Sequence, residues 1–192
     1  MMKTIVTSIV MTIVLTVLVG IIYPLAMTGI AQLVFPKQAN GSLIVHDGKV
    51  IGSKLIGQQF GSEKFFRSRP SAAGSGYDAA NSGATNLGPT SKALIDRITH
   101  DRDSLQKLYP ELDSVLPADM LTTSGSGLDP DISVANAMMQ AKVVARTNNL
   151  PLDTVTALVK HHIQGRDLGF LGEPRVNVLE LNMDLLDHLK HP

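Results

Sequence analysis

Residues 5–27 form an almost unbroken apolar run, IVTSIVMTIVLTVLVGIIYPLAM. The longer segment from Thr4 to Pro36 contains no Asp, Glu, Lys or Arg. A helix rises ~1.5 Å per residue, so the run would be about 35 Å long and would exceed the ~30 Å hydrocarbon core of a bilayer. The sequence therefore predicts a transmembrane helix at about 5–27, within an N-terminal anchor that covers residues 1–36.

A cleaved secretory signal is the alternative interpretation of this segment. Gly29-Ile30-Ala31 fits a small-x-small cleavage site, but the apolar region of a signal peptide has only about 7–15 residues, so the length favours a retained anchor. The neighbouring lysines are Lys3 on one side and Lys37, Lys49 and Lys54 on the other. Because this distribution does not decide the orientation, we rely on the short lead before Lys3, which is most easily left in the cytoplasm. The main domain is then expected to be periplasmic or extracellular.

The remaining residues, 37–192, are sufficient for one domain with a single hydrophobic core. The whole chain has 17 basic and 17 acidic side chains, a balance that argues against a nucleic-acid-binding surface. It has no Cys, so disulfides and thiolate chemistry are excluded. The apolar periodicity and the turn signals together predict a mixed α+β domain.

The α+β prediction rests on segments with recognisable patterns. Asp47-Gly48 favours the type I′ turn of a hairpin, and Asn182 is expected to cap a helix. Two segments, Ser71–Thr90 and Thr122–Pro130, are rich in Ser and Gly and are predicted loops. The predicted elements are a hairpin at 43–51, an extended segment at 65–67, helices at 91–109, 133–148 and 153–163, a strand at 175–181 and a final helix after Asn182.

A stripe of small residues follows one side of the predicted anchor. Its members recur every four residues: Ser8, Thr12, Thr16 and Gly20. Such a stripe winds slowly around a helix and allows a second helix to approach closely in lipid. The stripe therefore predicts a docking face for a partner helix, although a single span can also simply tolerate Ser and Thr.

Two arginines stand at the base of the first polar loop. Arg67 and Arg69 are two residues apart, which places both guanidinium groups on one face of an extended segment. Forked donors on one side suit a carboxylate or a phosphate. We predict that the pair docks a partner together with the loop Ser71–Thr90; a pair of structural salt bridges is the alternative.

The sequence does not contain a recognisable catalytic or metal-binding constellation. Ser126 lacks the Gly-x-Ser-x-Gly context, and Ser104 with Lys107 matches Ser-x-x-Lys without its companion motifs. His161 and His162 are adjacent on a predicted helix and point about 100° apart, so they cannot share one ion. We therefore assign no catalytic residue, no metal ligand and no cofactor bound by a motif of this chain.

Four blocks of sequence carry a family resemblance. They are FRSRPSAAGSGYD (66–78), SGATNLGPT (82–90), TTSGSGLDP (122–130) and GEPRVNVL (172–179), the last followed by Leu181-Asn182. These blocks resemble the C subunit of the Kdp potassium-transporting ATPase, the KdpC family. Together with the single N-terminal span, the resemblance covers essentially the full chain.

The resemblance implies an accessory subunit of a bacterial inner-membrane complex that imports potassium at the expense of ATP. The implied partners are a P-type ATPase subunit, which is phosphorylated on Asp, and a channel-like subunit that carries the ion, with membrane lipid around the anchor. The family's C subunit is described as a catalytic chaperone that raises the ATP affinity of the ATPase subunit. ATP is therefore expected only in the context of the complex.

A domain outside the cytoplasm meets little ATP, so we expect it to act indirectly through the assembly. No ATP-binding residue is assigned for this reason. The alternative function, from another class, is a stand-alone membrane-tethered extracytoplasmic hydrolase. A subunit should copurify with larger membrane proteins, whereas a tethered enzyme need not.

Overall fold

The computed structural model describes residues 1–110, 112 and 115–190. The chain divides into two compact units, Met1–Ser53 and Lys54–Pro192. The first unit contains the apolar helix, a short helix and a β-hairpin, and the second contains the other helices and strands. The predicted α+β class is confirmed. The predicted boundary between residues 36 and 37 stays a prediction.

The N-terminal helix is longer than the sequence predicts. It runs from Met2 to Val34 with a mean hydropathy of 2.8 in its most apolar window, long and apolar enough to cross a membrane. It consists of α1 (Met2–Val17), a π-helical turn (Leu18–Ile22) and α2 (Tyr23–Val34). Pro24 lies in the first turn of α2. The wide turn just before Pro24 accommodates a residue that cannot donate to a carbonyl one turn earlier.

The predicted hairpin is confirmed. A short helix, α3 (Pro36–Ala39), precedes strands β1 (Leu43–His46) and β2 (Lys49–Ser53), which pair antiparallel. Asp47 and Gly48 have φ angles of 50° and 74°, the two positive values that a type I′ turn requires.

The second unit is built on a small antiparallel sheet in the order β3–β5–β4. The strands are β3 (Asp131–Ser133), β4 (Ile163–Gln164) and β5 (Arg175–Asn177), and the helices that accompany them are α5 (Val134–Asn148), α6 (Leu152–His161) and α7 (Val178–Lys190). The apolar sides of the sheet and helices share one core. Its largest fully buried apolar side chains are Phe66, Ile132, Val144, Val155, Val159, Val176, Val178, Leu181 and Leu185.

Helix α4 (Lys92–Leu108) packs less deeply than the other helices of this unit, because none of its residues is fully buried. It corresponds to the predicted helix at 91–109 and ends just before Pro110, which cannot continue a helix. A second, smaller apolar cluster lies at its C-terminal end and includes Tyr109, Leu112, Met139 and Val143. A 3₁₀ turn at Ala118–Met120 follows.

Two predicted helix starts are wrong. The last strand ends at Asn177, whose Oδ1 accepts the Glu180 N–H at 3.1 Å, so Asn177 caps α7 and Asn182 lies inside it. Helix α6 begins at Leu152 after Pro151, which places Asp153 in its first turn. In both cases the helix begins directly after the preceding strand or proline. The polar residue that the sequence pattern favoured as the cap lies further along the helix.

Candidate functional site

The segment at Phe66 and Arg67 is held by side-chain amides in place of a neighbouring strand. Asn182 Oδ1 accepts the Phe66 N–H at 2.8 Å, and Asn182 Nδ2 donates to the Phe66 carbonyl at 2.8 Å. Gln140 makes the same pair of bonds with the backbone of Arg67, at 2.7 and 3.0 Å. The predicted extended segment at 65–67 is therefore held by side-chain hydrogen bonds and not by a neighbouring strand. Its position fixes both arginines at the base of the polar loop.

Arg69 is used within the fold. Its Nη1 lies 2.9 Å from Asp129 Oδ2, and its Nε and Nη2 donate to the carbonyls of Thr122 and Thr123 at 3.4 and 3.2 Å. The hydroxyl of Tyr77 donates to the Arg69 carbonyl, and burial raises the pKa of Tyr77, which keeps this donor protonated. Arg69 thus joins the two polar loops, the structural role that the sequence left open as the alternative.

The two polar loops are folded against each other. Ser71 Oγ donates to the Gly127 carbonyl at 2.6 Å, and the Gly83 N–H donates to the Ser126 carbonyl at 2.8 Å. A Cβ on Gly127 would lie 2.6 Å from the Gly83 carbonyl oxygen and 2.7 Å from the Ala73 nitrogen, so only glycine fits there. The loops Ser71–Thr90 and Thr122–Pro130 therefore form one ordered surface.

Arg67 lies at a cleft of about 320 Å³ between α4 and α5. Its Nη2 donates to the Tyr109 hydroxyl at 2.7 Å, and that hydroxyl donates to Glu63 Oε1 at 3.1 Å. Burial raises the pKa of Tyr109, with the Glu63 carboxylate adding to the effect and Arg67 opposing it, so the phenol stays a donor. Apolar side chains of Leu105, Val143 and Val144 form much of the remaining wall. Unlike Arg69, Arg67 can present its other donors to a bound group.

The small-residue stripe is exposed along its whole length. Ser8 Oγ donates to the Thr4 carbonyl at 2.9 Å, and Thr12 Oγ1 donates to the Ser8 carbonyl at 2.8 Å. These hydroxyls are satisfied inside the helix, so the stripe offers shape more than hydrogen bonds to a partner. A Cβ on Gly20 would lie 3.9 Å from Thr16 Cγ2, which shows that the stripe stays continuous into the π-helical turn. The docking roles of Ser8, Thr12, Thr16, Gly20, Arg67 and Arg69 stay predictions.

Sequence reasoning missed the roles of the residues that support this site, although it singled out Asn182 as a helix cap. Gln140 and Asn182 are buried polar residues on the apolar faces of α5 and α7, and Tyr109 follows the end of α4. A buried amide must find partners, so a polar residue at a core-facing helical position was the available signal. The partners themselves lie 73 and 116 residues away in sequence and could not be read from one chain.

These observations define a class: a membrane-associated protein with one N-terminal apolar helix and one α+β domain. The two polar loops of this domain are folded into a single surface.

The chain belongs to the KdpC family, because the family model described as K+-transporting ATPase, c chain, matches residues 5–187. A relative from Koribacter versatilis is 53% identical over 186 residues, covering 96% of this chain and 95% of the relative. One from Bradyrhizobium diazoefficiens is 52% identical, covering 96% and 97%, and one from Caulobacter vibrioides is 55% identical, covering 88% and 86%. Each of them is named potassium-transporting ATPase KdpC subunit. The resemblance seen in the sequence blocks is confirmed.

Proposed function

We propose that this chain is a non-catalytic accessory subunit of an ATP-driven potassium import complex in a bacterial inner membrane. The observation that carries the proposal is the extent of the family match, which spans residues 5–187 and so includes both the apolar helix and the α+β domain. Relatives that match over nearly their whole length carry the subunit name. The helix anchors the chain, and the domain lies on the outer side of the membrane.

The partners in this proposal are the ATP-hydrolysing P-type subunit and the channel-like subunit that carries potassium. Two features of the chain support contacts with them. The helix Met2–Val34 is exposed throughout its most apolar window, and the stripe along it is shaped for close packing. The cleft beside Arg67 offers a cation at the end of an apolar wall, which suits an anchoring side chain of a partner.

The use of the motif residues supports a non-catalytic role. Ser71 donates to a backbone carbonyl, Arg69 and Asp129 form an ion pair, and Ser126 Oγ accepts the Leu128 N–H at 3.1 Å. A nucleophile needs an adjacent base that activates it, and these side chains instead hold two loops together. The blocks that carry the family resemblance therefore build a surface.

The finer proposal concerns ATP. We infer that the chain raises the ATP affinity of the ATPase subunit indirectly, by stabilising an assembled state in which that subunit binds ATP better. No residue of this chain is proposed to contact the nucleotide. The chain acts as a catalytic chaperone in this sense, and it also assists assembly.

The test is an ATP titration of potassium-stimulated hydrolysis. The complex is purified without this chain, and the full-length chain is then added back in detergent. The apparent KM for ATP should fall on addition, with a smaller change in kcat, because the effect is on nucleotide affinity. An unchanged KM with the chain demonstrably bound would contradict the ATP proposal while leaving the subunit assignment intact.

A further inference from the structure

A tight turn between β4 and β5 presents three large apolar side chains to solvent. Leu168, Phe170 and Leu171 are 84%, 69% and 49% exposed. We call residues Asp167–Leu171 the apolar knob. A cluster of this kind at one loop tip differs from scattered surface leucines and is typical of an interaction site.

The knob is held in one shape although its side chains pack against little of the domain. Asp167 and Leu171 exchange two backbone hydrogen bonds of 2.9 Å, and the Gly169 N–H donates to the Arg166 carbonyl at 3.1 Å. Leu168 has a φ of 52°, in the left-handed region that a leucine rarely adopts. Strained backbone that supports no core packing indicates a functional constraint.

Ion pairs close the base of the knob and determine its charge. Arg166 Nη2 lies 2.8 Å from Glu173 Oε2, and Arg175 Nη2 lies 3.6 Å from Asp167 Oδ2. The carboxylates are the outer members: the Glu173 and Asp167 side chains are 80% and 71% exposed, against 44% and 34% for Arg166 and Arg175. The most exposed charges around the apolar tip are therefore two carboxylates, each paired with a less exposed arginine.

We propose that the apolar knob inserts into an apolar pocket with a basic rim on another protein subunit of the same complex. A preformed apolar tip inside a charged rim has the anatomy of a protein interface, and its rigidity lowers the entropy cost of docking. The proposal rests on the assignment of this chain as a subunit of a larger complex, and it adds the contact surface and the chemistry of its partner.

Two other occupants fit the structure less well. A bilayer surface in bacteria carries anionic lipids, which would repel the exposed carboxylates of Asp167 and Glu173, and a fluid layer gains nothing from a rigid tip. A second copy of the chain, related by two-fold symmetry, would bring the same exposed carboxylates together. A protein pocket with a basic rim is the occupant for which the apolar tip and the exposed carboxylates are both favourable.

The test compares recovery of the complex on tagged, full-length chain variants. Phe170→Asp places a charge at the centre of the contact. It should lower the affinity of the chain for the P-type and channel-like subunits at least tenfold. Ile95→Asp is the matched control, because Ile95 is also an exposed apolar residue, at 53%, on α4. A rim variant, Asp167→Lys with Glu173→Lys, should also weaken recovery, and more so at low salt.

The outcomes separate the alternatives. Recovery with Phe170→Asp that equals wild type would overturn the knob proposal, whereas failure of the wild-type chain itself to copurify would overturn the subunit assignment. The chain has no Trp, so Phe170→Trp supplies a single reporter that does not depend on a charged substitution. Its emission should shift to the blue when the large subunits are added. Quenching by brominated lipid in the isolated chain, or self-association that Phe170→Asp abolishes, would assign the knob to lipid or to a second copy and would overturn the proposal.

Discussion

At the scale of single residues, the second unit depends on side-chain amides that make the hydrogen bonds a neighbouring strand would otherwise make. Asn182 is 2% exposed and pairs with both polar groups of Phe66, which is itself fully buried. An unpaired buried donor or acceptor costs about 1–3 kcal/mol. Side-chain hydrogen bonds therefore hold the backbone of the segment that carries the two arginines, although this segment is not a strand of a sheet.

Replacement of Asn182 by Ala should be strongly destabilising. It leaves the Phe66 N–H and carbonyl without partners, so we expect a loss of roughly 3 kcal/mol in the free energy of unfolding. The measurement is urea denaturation of the full chain in detergent. Asn81→Ala is the control, because the exposed Asn81 side chain bonds only to Asp78 among the bonds the structure describes, and its loss should cost less than about 0.5 kcal/mol. Equal midpoints for the two variants would show that the amide pair is dispensable.

Single substitutions should distinguish the structural role of Arg69 from the docking role of Arg67. Arg69→Ala removes the ion pair with Asp129 and two bonds to loop carbonyls, so it should destabilise the full chain by about 2 kcal/mol. Arg67→Ala loses one described hydrogen bond, to Tyr109, and should change stability by less than about 1 kcal/mol. If Arg67 anchors a partner's carboxylate, its removal should nevertheless cost roughly 2–5 kcal/mol of binding. Thermal melting and copurification, measured on both variants, check this; undiminished recovery with Arg67→Ala would end the docking role of that residue.

At the scale of elements, the sequence predicted what local patterns control. The apolar helix, the Asp47-Gly48 hairpin and the helices predicted at 91–109 and 133–148 all follow from hydropathy, turn chemistry or capping within a few residues. Strand β4 has only two residues, Ile163 and Gln164, and exists because β5 lies beside it. No local signal specifies such a strand, and the predicted helix at 153–163 therefore includes Ile163.

The small-residue stripe gives the prediction that belongs to the transmembrane helix. Thr12→Leu with Thr16→Leu adds apolar surface but fills the groove that a partner helix needs, so the association should weaken by about 1–2 kcal/mol while insertion is unchanged. Recovery of the complex and carbonate extraction of membranes measure the two effects. Thr7→Leu is the matched control, because at ~100° per residue Thr7 lies opposite Thr16. Normal recovery of the double variant would show that the stripe is incidental.

At the scale of the whole molecule, the sequence located the polar loops but could not show what they contact. Arg69 and Asp129 are 60 residues apart, and nothing in one sequence marks them as partners. The apolar knob was missed for the opposite reason. By hydropathy, a run of Leu168, Phe170 and Leu171 would be assigned to a core, and only the fold shows that the run is exposed. Long-range pairing and exposure are properties of the assembled domain.

The topology of the chain is a further prediction at this scale. The helix Met2–Val34 is longer than the ~20 residues that cross a bilayer, so the anchor should be retained. The domain is predicted to lie outside the cytoplasm. Protease added to spheroplasts should digest the domain, and N-terminal sequencing of the membrane form should find the anchor still attached. Complete protection of the domain would contradict the orientation, and a mature chain that begins at Gln32 would contradict the retained anchor.

The most direct measurement is a pull-down of the tagged full-length chain from native membranes in mild detergent, followed by peptide mass identification and an ATPase assay of the same eluate. If the chain is a non-catalytic subunit, the eluate should contain a P-type ATPase and a channel-like subunit, and its ATP hydrolysis should be stimulated by potassium. Recovery of the intact chain alone, with a hydrolytic activity of its own, would contradict the assignment and would favour a tethered enzyme.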